Sequence, residues 1–209
     1  MKPKKTVLGV GINDADYPVQ RKETIGYVGG KQRFKLVWAC PFYQVWAAML
    51  KRCYSANFQK KRPTYAGCTA TDEWHSFSKF RAWMEKQDWQ GKSLDKDLLF
   101  EGNKVYSPET CVFVTTMVNG FTTDSGAARG EWMIGAHWNK NAGKFLAQCS
   151  NPFTKKNEYL GLFTNEQQAH NAWLKRKTEL AHELAEIQED PRVAKALVDR
   201  YSKIQISEN

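Results

Sequence analysis

The spacing of apolar residues changes along this chain from a helical period to a strand-like one, and this change restricts the fold class. Apolar residues recur at helical spacing across residues 42–53, directly after Pro41, and an aromatic stripe has the same spacing across residues 74–84. Shorter runs with strand-like composition follow at residues 94–100 and 111–114. Helices and short strands that follow one another in this irregular order predict an α+β fold.

The C-terminal part predicts a three-stranded antiparallel sheet that packs on a helix. Residues 132–138, 144–149 and 158–163 are strand candidates, and turns with Asn, Gly or Pro separate them. The sequence Thr164-Asn-Glu-Gln167 has capping-box spacing and predicts the start of a long helix. Asp190-Pro191 predicts the start of a last helix, because proline fits the first helical turn.

Two other segments are less regular. Residues 6–12 and 34–38 predict two strands, and the polar, glycine-containing stretch between them predicts a connection. Residues 122–130 are small and polar and predict a linker, because they cannot bury enough apolar area to become ordered. The chain is therefore predicted to divide into an N-terminal helical module, residues 1–121, and a C-terminal module, residues 131–209.

An excess of basic residues predicts an anionic partner. Lys and Arg number 31 against 22 Asp and Glu, for a net charge of +9, which favours nucleic acid. The excess is concentrated in residues 1–70, which hold 13 basic and 3 acidic side chains. The candidates for phosphate contacts in this segment are Lys51, Arg52, Lys60, Lys61 and Arg62.

The composition predicts a soluble globular protein of the cytoplasm. Apolar residues make up 42% of the chain, too many for a disordered tail, and no apolar run approaches the roughly 20 residues that span a membrane. Neither a secretion signal nor a membrane partner is expected. The five cysteines contain no closely spaced pair, so buried reduced thiols are expected and no zinc.

The middle of the chain carries a motif with a known counterpart. The stretch Gly102-Asn-Lys-Val-Tyr-Ser-Pro-Glu-Thr-Cys-Val-Phe-Val-Thr115, with a later Asn119, resembles the second half of the HNH motif in phage homing-endonuclease-like proteins. The resemblance implies an HNH-like ββα module within residues 1–121. It also implies one divalent cation, Mg²⁺ or Mn²⁺, with Asp95 and Asn119 as the metal ligands.

The resemblance places Asp95, Lys96 and Asp97 at the catalytic positions, but the base histidine of the family is missing. Lys96 stands where that imidazole is expected, and an ordinary lysine ammonium, with a pKa of about 10.4, cannot accept a proton at neutral pH. Two hypotheses stay open: a scaffold that docks on DNA without cleaving it, and a variant nuclease in which Asp97 or Lys96 moves the proton. A third interpretation is a solvated strand edge with local ion pairing.

The C-terminal module carries a second resemblance. The segments Ile134-Gly-Ala-His-Trp-Asn-Lys140, Gly143-Lys-Phe-Leu-Ala-Gln148, Leu160-Gly-Leu-Phe-Thr164 and Glu166-Gln-Gln-Ala-His-Asn-Ala172 resemble an ethylene-response-factor-type (Apetala-type) DNA-binding domain. The resemblance implies that the sheet binds the major groove. In the plant domains several positions of the DNA-binding sheet face hold arginines, whereas in this chain Lys144 is the cationic residue of that face. This difference predicts weaker DNA binding.

Strand alternation assigns the two faces of this sheet independently of the resemblance. It places Ala136, Trp138, Phe145, Ala147 and Cys149 on the face that the helix covers. The opposite face presents donors and acceptors suited to base edges and phosphates, namely His137, Asn139, Lys144, Gln148, Ser150 and Tyr159. An ordinary solvated sheet face is the alternative interpretation.

The sequence therefore predicts a double-stranded DNA-binding protein of the phage HNH-endonuclease-like type. One alternative is an active metal-dependent nuclease that nicks or cleaves DNA. The other is a basic viral protein that binds and inhibits a host protein, with the sheet as a docking surface.

Overall fold

The computed structural model describes residues 6–123 and 131–207 of the chain, with side chains to residue 202. The chain is α+β, as predicted, and divides into two compact units. Unit 1 comprises Met1–Gln90 with Gly102–Phe113, and unit 2 comprises Gly91–Glu101 with Val114–Asn209. Residues 124–130 of the predicted linker lie outside the described residues, so the boundary at 122–130 stays a prediction.

Unit 1 is built on the two predicted helical stripes. Unit 1 contains helices α1 (Pro41–Tyr54), α2 (Ala56–Lys61) and α3 (Phe77–Met84). Two 3-10 turns and strand β3 (Thr69–Ala70) lie between α2 and α3, and β3 pairs in parallel with β5 (Val105–Tyr106), which follows α3 in the chain. The aromatic stripe is core, as predicted: Trp74, Phe77 and Phe80 are fully buried, although Trp74 lies in a 3-10 turn before α3. Trp46 of α1 is fully buried as well. The Trp46 Nε1–H donates to the carbonyl oxygen of Trp74 at 2.8 Å, which satisfies one buried donor.

The N-terminal prediction is wrong in part. Residues 6–12 form no strand, because Leu8 and Gly9 both have positive φ and turn the chain back, so that the Val7 N–H donates to the Gly11 carbonyl oxygen. The strands are instead β1 (Gln20–Val28) and β2 (Lys31–Ala39), which form one antiparallel hairpin. Gly29 and Gly30 form its turn with φ of +57° and +74°, the two-residue geometry that glycine favours. Residues 34–38 lie within β2.

Unit 2 begins with short elements. β4 (Ser93–Asp95) and α4 (Thr116–Thr122) are in unit 2. β6 (Val112–Val114), whose last residue is the first of this part of unit 2, leads into α4. The Thr115 hydroxyl caps α4 by accepting a hydrogen bond from the Val118 N–H. α4 packs against β4.

The C-terminal sheet and its helix have the predicted arrangement. Strands β7 (Ala136–Asn139), β8 (Lys144–Ser150) and β9 (Asn157–Phe163) form an antiparallel sheet in that order, and α5 (Glu166–Glu186) packs on one face. The helix cap differs from the prediction: Asn165, not Thr164, accepts the hydrogen bond of the Gln168 N–H. α6 (Pro191–Ser207) packs on α5, and Asp190 accepts from the Arg192 N–H at its start.

Two general expectations concern the cysteines and membranes. All five cysteines are buried, and none of them forms a disulfide, as expected for structural thiols. No helix among residues 6–123 and 131–207 is long and apolar enough to cross a membrane.

Candidate nucleic-acid interface

The three-stranded sheet has one face covered by α5 and one open face. Ala136 and Ala147 are paired across β7 and β8 and pack with Ala169 of α5 in a buried cluster. Small side chains there let the helix approach the sheet closely. The alternate positions form the open face, which carries His137, Asn139, Lys144, Leu146, Gln148, Ser150, Asn157, Tyr159 and Leu162.

The open face contains every polar residue that strand alternation assigned to it. His137, Lys144, Ser150 and Tyr159 are exposed, and Asn139 and Gln148 are half-buried. Gln148 lies directly opposite Tyr159, whose side chain is 65% exposed. An exposed phenol beside amide and imidazole groups offers donors, acceptors and a flat ring on one surface.

The register adds a short apolar row that alternation along single strands did not reveal. His137 is paired with Leu146, and Leu146 with Leu162, across all three strands. This row separates the Asn139 and Lys144 end of the face from the Gln148 and Tyr159 end. Apolar side chains at such positions can contact thymine methyl groups in a major groove. Only the strand pairing could reveal this row.

Asn139 has a structural role as well. Its Oδ1 accepts hydrogen bonds from the backbone N–H groups of Asn141 and Ala142, each at 3.1 Å. The side chain therefore holds the turn between β7 and β8. Such a turn residue can position Lys144 while contributing less to base recognition itself.

An ion-pair network fastens the sheet to α5. The Arg176 Nε–H donates to Glu158 Oε2 at 2.6 Å, and Asn151 Nδ2 donates to Glu158 Oε1 at 2.7 Å. Hydrogen bonds from Arg176 and Asn151 hold the pKa of Glu158 below its usual range. Because Glu158 lies on β9 and Arg176 on α5, the network holds the covered face of the sheet against the helix. The orientation of the open face is thereby fixed relative to α5.

The predicted phosphate contacts of unit 1 lie on α1 and α2 and just after α2. Lys51, Lys60, Lys61 and Arg62 are exposed, whereas Arg52 is half-buried with its guanidinium 5.5 Å from the Tyr65 ring centroid. Arg52 also interacts with the buried Tyr106 hydroxyl. The four exposed cations are therefore the better candidates for phosphate contacts, and Arg52 is placed to support the local packing.

The predicted catalytic residues lie at the end of β4. Asp95 Oδ1 accepts hydrogen bonds from the N–H groups of Asp97 and Leu98 at 2.9 and 2.7 Å, so this carboxyl caps a turn. Burial, and then the charge of Asp97, raise the pKa of Asp95. The buried Lys96 donates from Nζ to Asp97 Oδ2 at 3.0 Å. An ammonium in this ion pair has no lone pair with which to accept a proton.

The metal ligands implied by the HNH resemblance are both in unit 2. Asp95 lies at the end of β4, and the exposed Asn119 lies on α4, which packs against that strand. Carboxylate and amide oxygens are donors that Mg²⁺ and Mn²⁺ accept. Within the described part of the chain, no group of three or more His, Cys, Asp or Glu side chains is placed to hold a metal ion. The amide of Asn119 would have to complete the ligand set.

The chain matches no protein-family profile, no curated protein and no solved structure. The geometry of the described residues and the two motif resemblances are therefore what supports a function.

Proposed function

We propose that this protein binds double-stranded DNA through the open face of the β7–β9 sheet. The observation that carries the proposal is the clustering of hydrogen-bonding side chains on that face, with Lys144 at one end and Tyr159 exposed near the other. A major groove presents a distinct set of donors, acceptors and methyl groups for each base pair. The face offers the complementary groups, and its fixed attachment to α5 limits the entropy lost on binding.

Backbone neutralisation supplies the affinity in this proposal. Lys144 contributes one positive charge on the open face, while Lys51, Lys60, Lys61 and Arg62 contribute four in unit 1. Each lysine or arginine that contacts a phosphate releases condensed counterions, so affinity falls as salt rises. Binding is therefore expected to be strongest at low salt and to depend on several cations.

The Lys144→Ala variant is expected to weaken DNA binding in a salt-dependent way. Loss of one phosphate contact lowers the slope of log affinity against log salt by about one. Fluorescence anisotropy with a labelled duplex between 50 and 200 mM salt measures this slope. The matched control is Lys195→Ala, which removes the same charge from an exposed residue that is ion-paired with Asp199 on α6.

The control separates a specific contact from net charge. We expect Lys195→Ala to keep the wild-type slope, and Tyr159→Ala to lower affinity without changing the slope, because Tyr159 carries no charge. A wild-type slope for Lys144→Ala together with wild-type affinity for Tyr159→Ala would remove the sheet face from the interface. A wild-type protein that binds no duplex at 50 mM salt would contradict the proposal and favour a host protein as the partner.

A metal-dependent DNA nuclease is the second candidate function. The favouring observation is that β4, β6 and α4 come in the order of a ββα module, with the short β5 between the two strands in sequence. Asp95 ends β4, and Asp97 follows it two residues later. A bound divalent cation would stabilise the charge that develops on the attacked phosphate. Asp95 and Asn119 would bind that cation. Asp97 would accept the proton of the attacking water, because the Lys96 side chain already acts as a hydrogen-bond donor, to Asp97 Oδ2.

Plasmid nicking tests the nuclease candidate. If the candidate is correct, supercoiled plasmid with Mg²⁺ or Mn²⁺ becomes relaxed, and Asp95→Asn lowers the rate at least a hundredfold because a charged metal ligand is lost. Asn keeps the oxygen that caps the turn, so the fold is retained. Glu101→Gln, an exposed charge change in the same unit, should cleave at the wild-type rate. Relaxation that survives in Asp95→Asn would exclude this site.

A further inference from the structure

The β1–β2 hairpin is a long ribbon with almost no cover from its own unit. Every residue of the two strands except Gly26 and Ala39 is exposed. Within the described part of unit 1, the two strands pack extensively on each other and only sparsely on other helices or strands. One such contact is at the base of the ribbon, where the Gln44 side chain of α1 donates to the Ala39 carbonyl oxygen. Each strand has nine residues, which corresponds to about 30 Å of extended chain. A two-stranded ribbon without a packing partner is marginally stable in water, so a binding partner would stabilise it.

The two faces of this ribbon differ in chemistry. Lys31, Arg33 and Lys35 alternate along β2 and share one face, where Glu23 lies opposite Lys35. One register shift, at Ile25, adds its extra residue to β1, and the other, at Val37, lies beyond Lys35. The alternation of side chains along β2 is therefore uninterrupted from Lys31 to Lys35. The opposite face carries Gln32, Phe34, Leu36, Tyr27, Thr24 and Lys22.

The ribbon has a strong positive charge. It contains five basic residues, Arg21, Lys22, Lys31, Arg33 and Lys35, and one acid, Glu23. Such a surface complements a polyanion more closely than it complements an average protein surface. A two-stranded β-ribbon also fits the major groove of DNA, which is about 12 Å wide.

We infer that the β1–β2 hairpin is a second DNA-binding element, which lays its cationic face in a major groove. This inference rests on the proposed DNA-binding function and adds a surface that neither motif resemblance includes. Lys31 and Arg33 contact phosphates or guanine edges, and Lys35 is partly neutralised by Glu23 across the ribbon. The opposite face, with Phe34 and Leu36, lies away from the bases.

A double variant tests the hairpin. Lys31→Gln with Arg33→Gln removes two charges from the cationic face and keeps long polar side chains in the strand. The slope of log affinity against log salt should fall by about two. Between 50 and 200 mM salt, the wild type should lose about tenfold more affinity than this variant. The variant should also lose protection of guanine N7 from methylation at part of the site, because N7 lies in the major groove.

The matched control is Lys79→Gln with Lys86→Gln, which removes two exposed charges from the same unit. It should keep the wild-type slope and the wild-type methylation pattern. Equal slopes for the two double variants would overturn the inference. If the wild type binds DNA and Lys144→Ala lowers the slope while the hairpin variant does not, only the hairpin inference fails. If the wild type binds no duplex at all, the proposed function fails with it.

A second copy of the chain is the competing occupant of the ribbon. Light scattering of the wild type and of Phe34→Ser decides between the two. A wild-type dimer that Phe34→Ser converts to a monomer, with the salt slope unchanged in the Lys31 and Arg33 variant, would overturn the inference in favour of self-association. A wild-type monomer whose slope falls in that variant supports it.

Discussion

Gly135→Ala is expected to destabilise unit 2 by about 3 kcal/mol or more. Gly135 has a φ of +82°, and a left-handed conformation costs a residue with a Cβ about 1–2 kcal/mol. A Cβ there would lie 2.0 Å from Cγ and 2.3 Å from Cβ of Trp173, and overpacking adds about 1–3 kcal/mol. The affected segment leads directly into β7.

Trp173 cannot easily move to make room. It is buried and stacks on His170 with ring centroids 5.6 Å apart. His170 Nδ1 is in turn 2.7 Å from the carbonyl oxygen of Ile134, the residue before Gly135. A shift of the indole would therefore disturb the same segment that the substitution strains.

Urea unfolding followed by circular dichroism measures the effect, and Gly143→Ala is the matched control. Gly143 also has positive φ, +60°, but an added Cβ would meet no atom within 4 Å. The control should lose about 1–2 kcal/mol, from backbone strain alone. Equal losses for the two variants would show that Trp173 does not restrict Gly135. In the proposed function, Gly135→Ala also weakens DNA binding, because the sheet face depends on β7.

The second large effect concerns Lys177, whose ammonium lies in the core of unit 2. Its Nζ donates to the Phe121 carbonyl oxygen at 2.8 Å and lies 3.5 Å from the Phe121 ring centroid. The residue is only 9% exposed. Burial lowers the pKa of Lys177 to about 8.

Lys177→Met is expected to be neutral or stabilising at pH 7. The folded protein bears the cost of desolvating the ammonium at that pH, and methionine of similar length removes this cost. The Phe121 carbonyl oxygen keeps a second donor, the Tyr201 hydroxyl at 3.1 Å. No buried acceptor is therefore left without a partner by this substitution.

The stability difference between the wild type and Lys177→Met is expected to depend on pH. Between pH 8 and about 10.4, Lys177 is deprotonated in the folded protein and still protonated in the unfolded chain. The unfolded state then binds more protons, so wild-type stability rises with pH relative to the variant, by up to about 3 kcal/mol. Below pH 8 both states are protonated and the difference is constant.

Urea unfolding of both proteins at pH 7, 8.5 and 10 tests this expectation. Taking the difference between the two proteins removes most of the contribution of titrating groups that do not interact with Lys177. Cys149, whose pKa burial raises, does interact with Lys177 and is not among the groups that cancel. Lys175→Met, on the exposed side of the same helix, should give a difference that does not change with pH. If the stability difference between the wild type and Lys177→Met also stayed constant with pH, the Lys177 ammonium would be solvated in the folded protein.

Much of the fold could be predicted because local patterns determine it. The helix after Pro41, the helix after Asp190 and the two faces of the C-terminal sheet follow from residue spacing and from capping chemistry. The α+β class follows from the same patterns. The residues of the open sheet face were assigned in the same way, because successive side chains of a strand point to opposite sides.

Other features were decided by contacts between residues distant in sequence. Gly29 and Gly30 form a hairpin turn only because β1 and β2 pair, and the row of His137, Leu146 and Leu162 exists only through strand register. The carboxyl of Asp95 caps a turn, as hydrogen-bond geometry shows and residue type does not.

The sequence by itself determined where helices and the C-terminal strands form, since periodicity and capping act within a few residues. The tertiary structure decided burial at positions that no helical or strand periodicity assigns to a core face. Lys177 looks like a surface lysine in its sequence context, yet packing against Phe121 and Tyr201 buries its charge. The apolar residues of β2 look like a core strand, yet they stay exposed because the helices and strands of their own unit pack on them only sparsely. Burial at such positions depends on the packing of segments that are far apart in the chain, and the local pattern does not encode it there.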